Sequence, residues 1–146
     1  MKKIRDVLSR KSADVATVSA GTTIRDAVRT MSDKKIGSVL VVDNEQLKGI
    51  FTERDLMSRV VAAGVDLDSA PVDDVMPKDL ITCSEDDTIE EVSRIMSNAR
   101  HRHIPVIEGK QLVGIVTAGD IMASVLEDRT IEVGQLKRYI QGDLTT

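Results

Sequence analysis

The chain has 146 residues, 41% hydrophobic and 30% charged, with a formal net charge of −4 at pH 7 and only 1% aromatic residues. That balance describes a globular domain, large enough to bury roughly 70% of the unfolded surface without disulfide or metal. The acidic excess and the missing aromatics count against nucleic-acid binding, which wants a basic face or stacking platforms.

The first residues, Met1-Lys2-Lys3, are basic, but Asp6 and Arg10 interrupt any apolar run. No signal peptide is expected, and no apolar run approaches the ~20 residues needed to span a bilayer. The single cysteine, Cys83, cannot form an internal disulfide. It reads as a small buried hydrophobe in a reducing compartment, and the expected site of the protein is the cytoplasm.

After a leader, Ile4-Arg5-Asp6-Val7-Leu8, and a loop through Arg10 to Ala16, a short extended piece covers Ala16–Ser19. Thr23 and Asp26 have the spacing of a capping box. Ile24, Ala27, Val28 and Met31 follow at helical spacing, and the helix is expected to end near Lys34. Val39–Val42 reads as a strand, Asp43–Gln46 as a hairpin turn and Leu47–Phe51 as the partner strand. Thr52 and Asp55 then stand where a strand gives way to a helix over Leu56–Val61. Ala63–Pro71 is a connector.

The same order then returns. Thr17 matches Thr82, 65 residues on, and the offset holds from Ser19/Ser84 through Gly49/Gly114, Thr52/Thr117 and Asp55/Asp120 to Met57/Met122. Even the leader has an echo, Val72-Asp73-Asp74-Val75-Met76, in a shifted register. Thr88 and Glu91 repeat the capping box, and the second helix is expected to end near Arg100. Pro105 cannot donate to a sheet ladder, which places its strand, Ile104–Ile107, at an edge or at its own start. Glu127–Arg129 reads as a solvated loop and Thr130–Gly142 as a final helix.

One such unit has too little core to stand alone. The expected architecture is α+β: two β-α-β-β-α repeats packed sheet to sheet about a pseudo-twofold axis. Residues 1–70 hold the first repeat with its leader and connector, 71–128 the second, and 129–146 a helical tail.

The chemistry lies at the repeated turn, Gly49-Ile50-Phe51-Thr52-Glu53-Arg54-Asp55 and Gly114-Ile115-Val116-Thr117-Ala118-Gly119-Asp120. Backbone N–H groups are free at a helix start, which suits a polyol or phosphate. A carboxylate there can accept from the vicinal hydroxyls of a ribose, and a threonine hydroxyl can donate to sugar or phosphate. The plainer alternative is that Thr and Asp only cap the helix, and the two roles are compatible.

Cations are unequally supplied: Arg100-His101-Arg102-His103 in the second repeat stands where the first has Lys35-Ile36-Gly37-Ser38. A pseudo-twofold would carry Arg102 and His103 toward the other repeat's turn. His101 and His103 make a poor metal site, since a closed zinc site wants four ligands. Nucleophile elbows, Cys–His pairs and Gly-rich Lys loops are all missing, so no enzyme is expected.

These residues resemble a tandem pair of cystathionine-β-synthase (CBS) domains, a Bateman module. The likeness runs from Ile4 to about Leu126 and rests on the paired Gly-apolar-apolar-Thr-x-x-Asp turns, the entry segments at Thr17-Val18 and Thr82-Cys83, and His101–Ile107.

The resemblance implies two clefts for adenosine-type ligands such as AMP, ADP, ATP, S-adenosylmethionine or NAD(H), with no resident cofactor or metal. It also implies a homodimer and a regulated protein partner reached in trans. By the same resemblance Asp55 and Asp120 hold ribose, while Thr52, Thr117, Arg54, Arg102 and His103 meet ribose or phosphate. Thr17, Val18, Thr82 and Cys83 offer backbone to adenine between walls of Ile36 and Ile104. The uncharged Ile36-Gly37-Ser38 departs from the pattern and sets the two clefts apart. The rival expectation is a structural dimerisation module with empty clefts.

Overall fold

The computed structural model describes residues 2–11 and 15–128. In chain order it contains α1 (Ile4–Leu8), β1 (Thr17–Ser19), α2 (Ile24–Lys34), β2 (Ser38–Asp43), β3 (Gln46–Thr52) and a short α3 (Glu53–Asp55) that continues as a π-helix over Leu56–Val61. A 3-10 turn (Val72–Val75), α4 (Ile89–Ala99), β4 (His103–Glu108) and β5 (Gln111–Thr117) follow, and residues 118–128 form a last helix, α5. The proposed helix over Thr130–Gly142 lies outside the described residues.

Local chemistry sets the element ends. Thr23 accepts from the Asp26 amide and starts α2, and Thr88 with Glu91 makes a reciprocal box at α4. The two helices bury Ile24, Ala27 and Met31, and Ile89, Val92 and Met96. Both stop at a non-glycine residue in the left-handed region, Lys35 (φ 54°) and Arg100 (φ 57°), positions equivalent under the repeat offset. Such a backbone costs about 1 kcal/mol or more for a side-chain-bearing residue.

The first sheet runs β1-β2-β3, with β1 parallel and β3 antiparallel to β2. The second repeats the antiparallel pair, and its irregularity between Val106 and Ile107 falls one offset beyond that between Val41 and Val42. The first strand, however, shrinks to a single bridge, Cys83 to Val106. Pro105 is the reason. In the first repeat the Leu40 amide donates to the Ala16 carbonyl, and the equivalent residue, Pro105, has no N–H to offer Ile81.

Pro105 therefore does not start β4, but it does lie on an edge strand of the two-stranded β4–β5 sheet, with only an isolated bridge on its other side. It is the third residue of a strand flanked by Cys83 on one side and β5 on the other. The expected solvated loop at Glu127 and Asp128 is corrected. Both belong to α5 and are tied to the N-terminus, Glu127 by Arg10 and Asp128 by Lys2 at 2.9 Å.

β3 and β5 lie against each other where the sheets meet, and two aliphatic cores result. The first takes Phe51, Val39, Val41 and Val60, and the second Val92, Ile104, Val106 and Val116. The leaders are exchanged between them. Ile4 and Val7 of α1 are buried in the second core, whereas Val72 and Val75 are buried in the first.

Main-chain bonds fix the exchange. Lys3 bridges Thr88 as Pro71 bridges Thr23. The Ile4 amide donates to the Asp87 carbonyl at 2.9 Å, and the Val72 amide to the Thr22 carbonyl at 2.7 Å. The repeated glycines receive the leaders' ends. A Cβ on Gly49 would meet Met76 at 2.9 Å, and one on Gly114 would meet Leu8 at 3.0 Å.

Gly114→Val is expected to cost about 1–3 kcal/mol in urea unfolding, because a packed site cannot absorb the added carbons. Leu8→Ala in the same chain should recover part of that loss. Strictly additive costs would show that Leu8 is not the neighbour that matters.

Candidate functional site

Both Thr-x-x-Asp turns are complete caps. Thr52 accepts from the Asp55 amide at 3.3 Å, while its own amide and hydroxyl each donate to Asp55 Oδ2 at 2.9 Å. The other carboxylate oxygen faces Arg59 Nε at 3.4 Å, and the Asp55 side chain is 8% exposed. At the second turn the Asp120 amide donates to Thr117 Oγ1 at 3.1 Å, and the Thr117 amide to Asp120 Oδ2 at 2.9 Å. That same oxygen accepts from Lys11 Nζ at 2.7 Å.

Each turn faces residues of the opposite repeat. A first cleft of about 660 Å³ is lined by Thr52 and Asp55 on one side, Arg100–His103 on another, and Pro77, Lys78 and Asp79 on a third. Among the described residues five cations (Arg54, Arg59, Lys78, Arg100 and Arg102) face three carboxylates (Glu53, Asp55 and Asp79) in it. A second cleft, about 550 Å³, joins Ile115 and Thr117 to Ile36, Gly37 and Ser38, with Val15, Ala16 and Leu40 as apolar wall and Lys11 and Lys34 as cations. Asp120 stands at its edge through Lys11, which lines it.

His103 lines both clefts. Gly37 makes room beside it: a Cβ there would come within 3.4 Å of His103 Nε2 and 3.0 Å of Glu53 Oε1. Burial holds the imidazole below its ordinary pKa of 6.5; Arg102 and Lys11 push the same way, and Glu53 and Asp120 oppose. The ring is neutral at pH 7. A phosphate arriving beside it would favour the protonated form.

A third groove, about 590 Å³, runs between α4 and α5 and is lined by Met96, Ile121, Met122 and Val125 below Arg54 and Arg102. Among the described residues no three His, Cys, Asp or Glu side chains converge as a metal site.

Thr52, Arg54, Asp55, Arg102 and His103 share the first cleft, and Ile36 and Thr117 the second. Ile104 is not a cleft wall; it is fully buried in the second core. Its equivalent under the repeat is Val39, also core, and the true counterpart of Ile36 is His101, which lines the first cleft.

Thr17 and Thr82 are exposed, and Val18 is half-buried against the first core. The cleft wall comes from Val15 and Ala16 instead, just before β1. Cys83 is buried, its thiol pushed up to about 12 by desolvation and then by Asp87, so it is inert. Lys11, Arg59 and the Pro77–Asp79 segment line the clefts without a sequence expectation, and His101, weighed in the sequence only within the basic run and as a metal ligand, lines the first cleft as well. The constant offset points to His101; nothing local points to Lys11, because its partner lies 109 residues away.

The family model for the CBS domain matches residues 4–62 and 72–127. CBS domain-containing protein CBSX3, mitochondrial, of Arabidopsis thaliana is 34% identical over 95% of this chain and 72% of its own length. The crystal structure of the CBS-domain containing protein ATU1752 from Agrobacterium tumefaciens is 37% identical, with a TM-score of 0.77, over 84% of this chain and 97% of that one. A crystal structure of CBSX2 in complex with AMP shares the fold at 20% identity, with a TM-score of 0.73, over 88% of this chain and 99% of that one. Two interlocked repeats, each presenting its turn to the other's strand entry, are thus accounted for by descent as well as by geometry: the chain belongs to the CBS-domain family.

Proposed function

We propose that this protein is an adenine-nucleotide-binding regulatory module of the cytoplasm, homodimeric and not itself an enzyme, that reports ligand state to a partner protein in trans. The observation that carries this reading is the meeting of each Thr-x-x-Asp turn with the opposite repeat around a cleft of nucleotide size. The two clefts suit such a ligand in different ways. Val15, Ala16, Ile36 and Leu40 give the second an apolar wall for a base. The first, rich in guanidinium groups, suits phosphates. AMP in the CBSX2 complex supports the ligand class.

A ribose hydroxyl on an ionised carboxylate is worth roughly 1.5–3 kcal/mol. Asp120→Ala is therefore expected to weaken AMP binding about ten- to hundred-fold in calorimetry. Equal affinities for wild type and variant would remove Asp120 from the site.

The His103 geometry adds a pH dependence. Its pKa in the empty fold lies below the ordinary value of 6.5, so acid destabilises the empty protein as pH falls through 6.5 toward the folded value. A bound phosphate favours the imidazolium and offsets that loss. AMP affinity should rise between pH 8 and 6, and His103→Gln should flatten the rise. A wild-type affinity that is level across this range would exclude the contact.

A second reading, a structural dimerisation module with empty clefts, is favoured by the completeness of both caps. Under it AMP, ATP, NADH and S-adenosylmethionine leave the melting temperature alone. A nucleotide at 100 times its Kd would instead add about 2.7 kcal/mol.

Both readings use the outer face, where the repeat-related Met57 and Met122 are each 64% exposed beside Val61 and Leu126. Sedimentation of Met57→Glu/Met122→Glu is expected to show a monomer where wild type shows a dimer. A dimer that survives the two charges would place the interface elsewhere.

A further inference from the structure

Lys11 holds the second turn. Its backbone amide donates to the Leu8 carbonyl at 3.1 Å, which anchors it to the end of the exchanged leader. Its ammonium donates to the Ile115 carbonyl at 2.8 Å and to Asp120 Oδ2 at 2.7 Å, with the side chain 28% exposed. Thr117 also donates to that same oxygen. The carboxylate that a ribose would use is therefore already engaged by a cation.

The first cleft is arranged differently. Aligning the leaders puts Asp79 where Lys11 stands, and Asp79 lines the first cleft as Lys11 lines the second. Asp55 there takes its cation, Arg59, from its own helix. The leader thus brings a lysine to the second cleft and a Lys78–Asp79 pair to the first. None of the described residues lining the second cleft is a carboxylate, whereas Lys11, Lys34 and His103 are basic.

An uncharged nucleoside entering the second cleft must draw Asp120 away from Lys11 and leaves the half-buried ammonium without an anion. A nucleoside phosphate supplies one. We infer that Lys11 is the specificity-determining residue of the second cleft, seated on Asp120 when the cleft is empty and turning to the phosphate of an incoming nucleotide, so that nucleoside phosphates are taken over free nucleosides. This rests on the nucleotide-binding reading above and adds a selection rule to it.

The test compares AMP with adenosine by calorimetry on wild type, Lys11→Met and Lys11→Gln. The amides of Ala16 and Ser38 report the second cleft in two-dimensional spectra, and those of Ala99 and Arg100 the first. Wild type should prefer AMP by about tenfold or more, the worth of one charge-assisted contact. Lys11→Met should narrow that ratio several-fold by weakening AMP and strengthening adenosine.

Lys11→Gln keeps a hydrogen-bond donor for Asp120 and Ile115 without the charge. It should narrow the ratio likewise, even should the methionine variant fail to fold. A ratio unchanged in the glutamine variant overturns the assignment. AMP shifting only Ala99 and Arg100 also overturns it while leaving nucleotide binding in place. No shift in either cleft removes both.

Discussion

The reciprocal docking of two leaders is the constraint on which the rest of the molecule depends. Ile4 and Val7 complete the core of the second repeat, and Val72 and Val75 that of the first. Neither repeat can be detached without opening an aliphatic core, and burying such side chains is worth roughly 1.5–3 kcal/mol each. The exchange also relies on the repeated glycines, because Leu8 and Met76 fill the space left by Gly114 and Gly49.

At the turns, one set of atoms serves two purposes. The hydrogen bonds that start α3 and α5 are those that aim the carboxylates. A capped carboxylate keeps lone pairs to offer, and its orientation is set before any ligand arrives. The electrostatics around the two turns diverge nonetheless. Guanidinium groups crowd the first cleft, and apolar side chains with two lysines make the second. Equal scaffolds thus carry unequal linings.

Much of this is legible in the sequence because the repeat keeps a constant offset. Thr23, Thr88, Thr52 and Thr117 mark helix starts by their own chemistry, and the apolar periodicity places Ile24, Met31, Ile89 and Met96 inward. What escapes is long-range. The leader's exchange depends on contacts far apart in the chain, such as Ile4 to Asp87 and Val72 to Thr22, for which no local pattern exists. Lys11 is hidden for the same reason.

Pro105 marks an edge of its sheet, as its missing N–H predicts, but not the start of β4. The bond lost is the one to the short first strand, and the antiparallel side of β4 remains intact. Ile104 is misplaced through an alignment slip of three residues, and strand alternation then decides which side chains face the core.

His103 beside Gly37 bears on ancestry. In an assembly of two identical single repeats, a residue near the symmetry axis meets its own twin. Two imidazoles would crowd each other there, and protonating one would disfavour protonating its neighbour. Covalent fusion releases the two positions from identity. One repeat keeps the ring at His103, while the other carries the small Ser38, with Gly37 leaving space beside it. A single imidazole facing a small residue at equivalent positions is something two identical repeats cannot encode and a fused pair can.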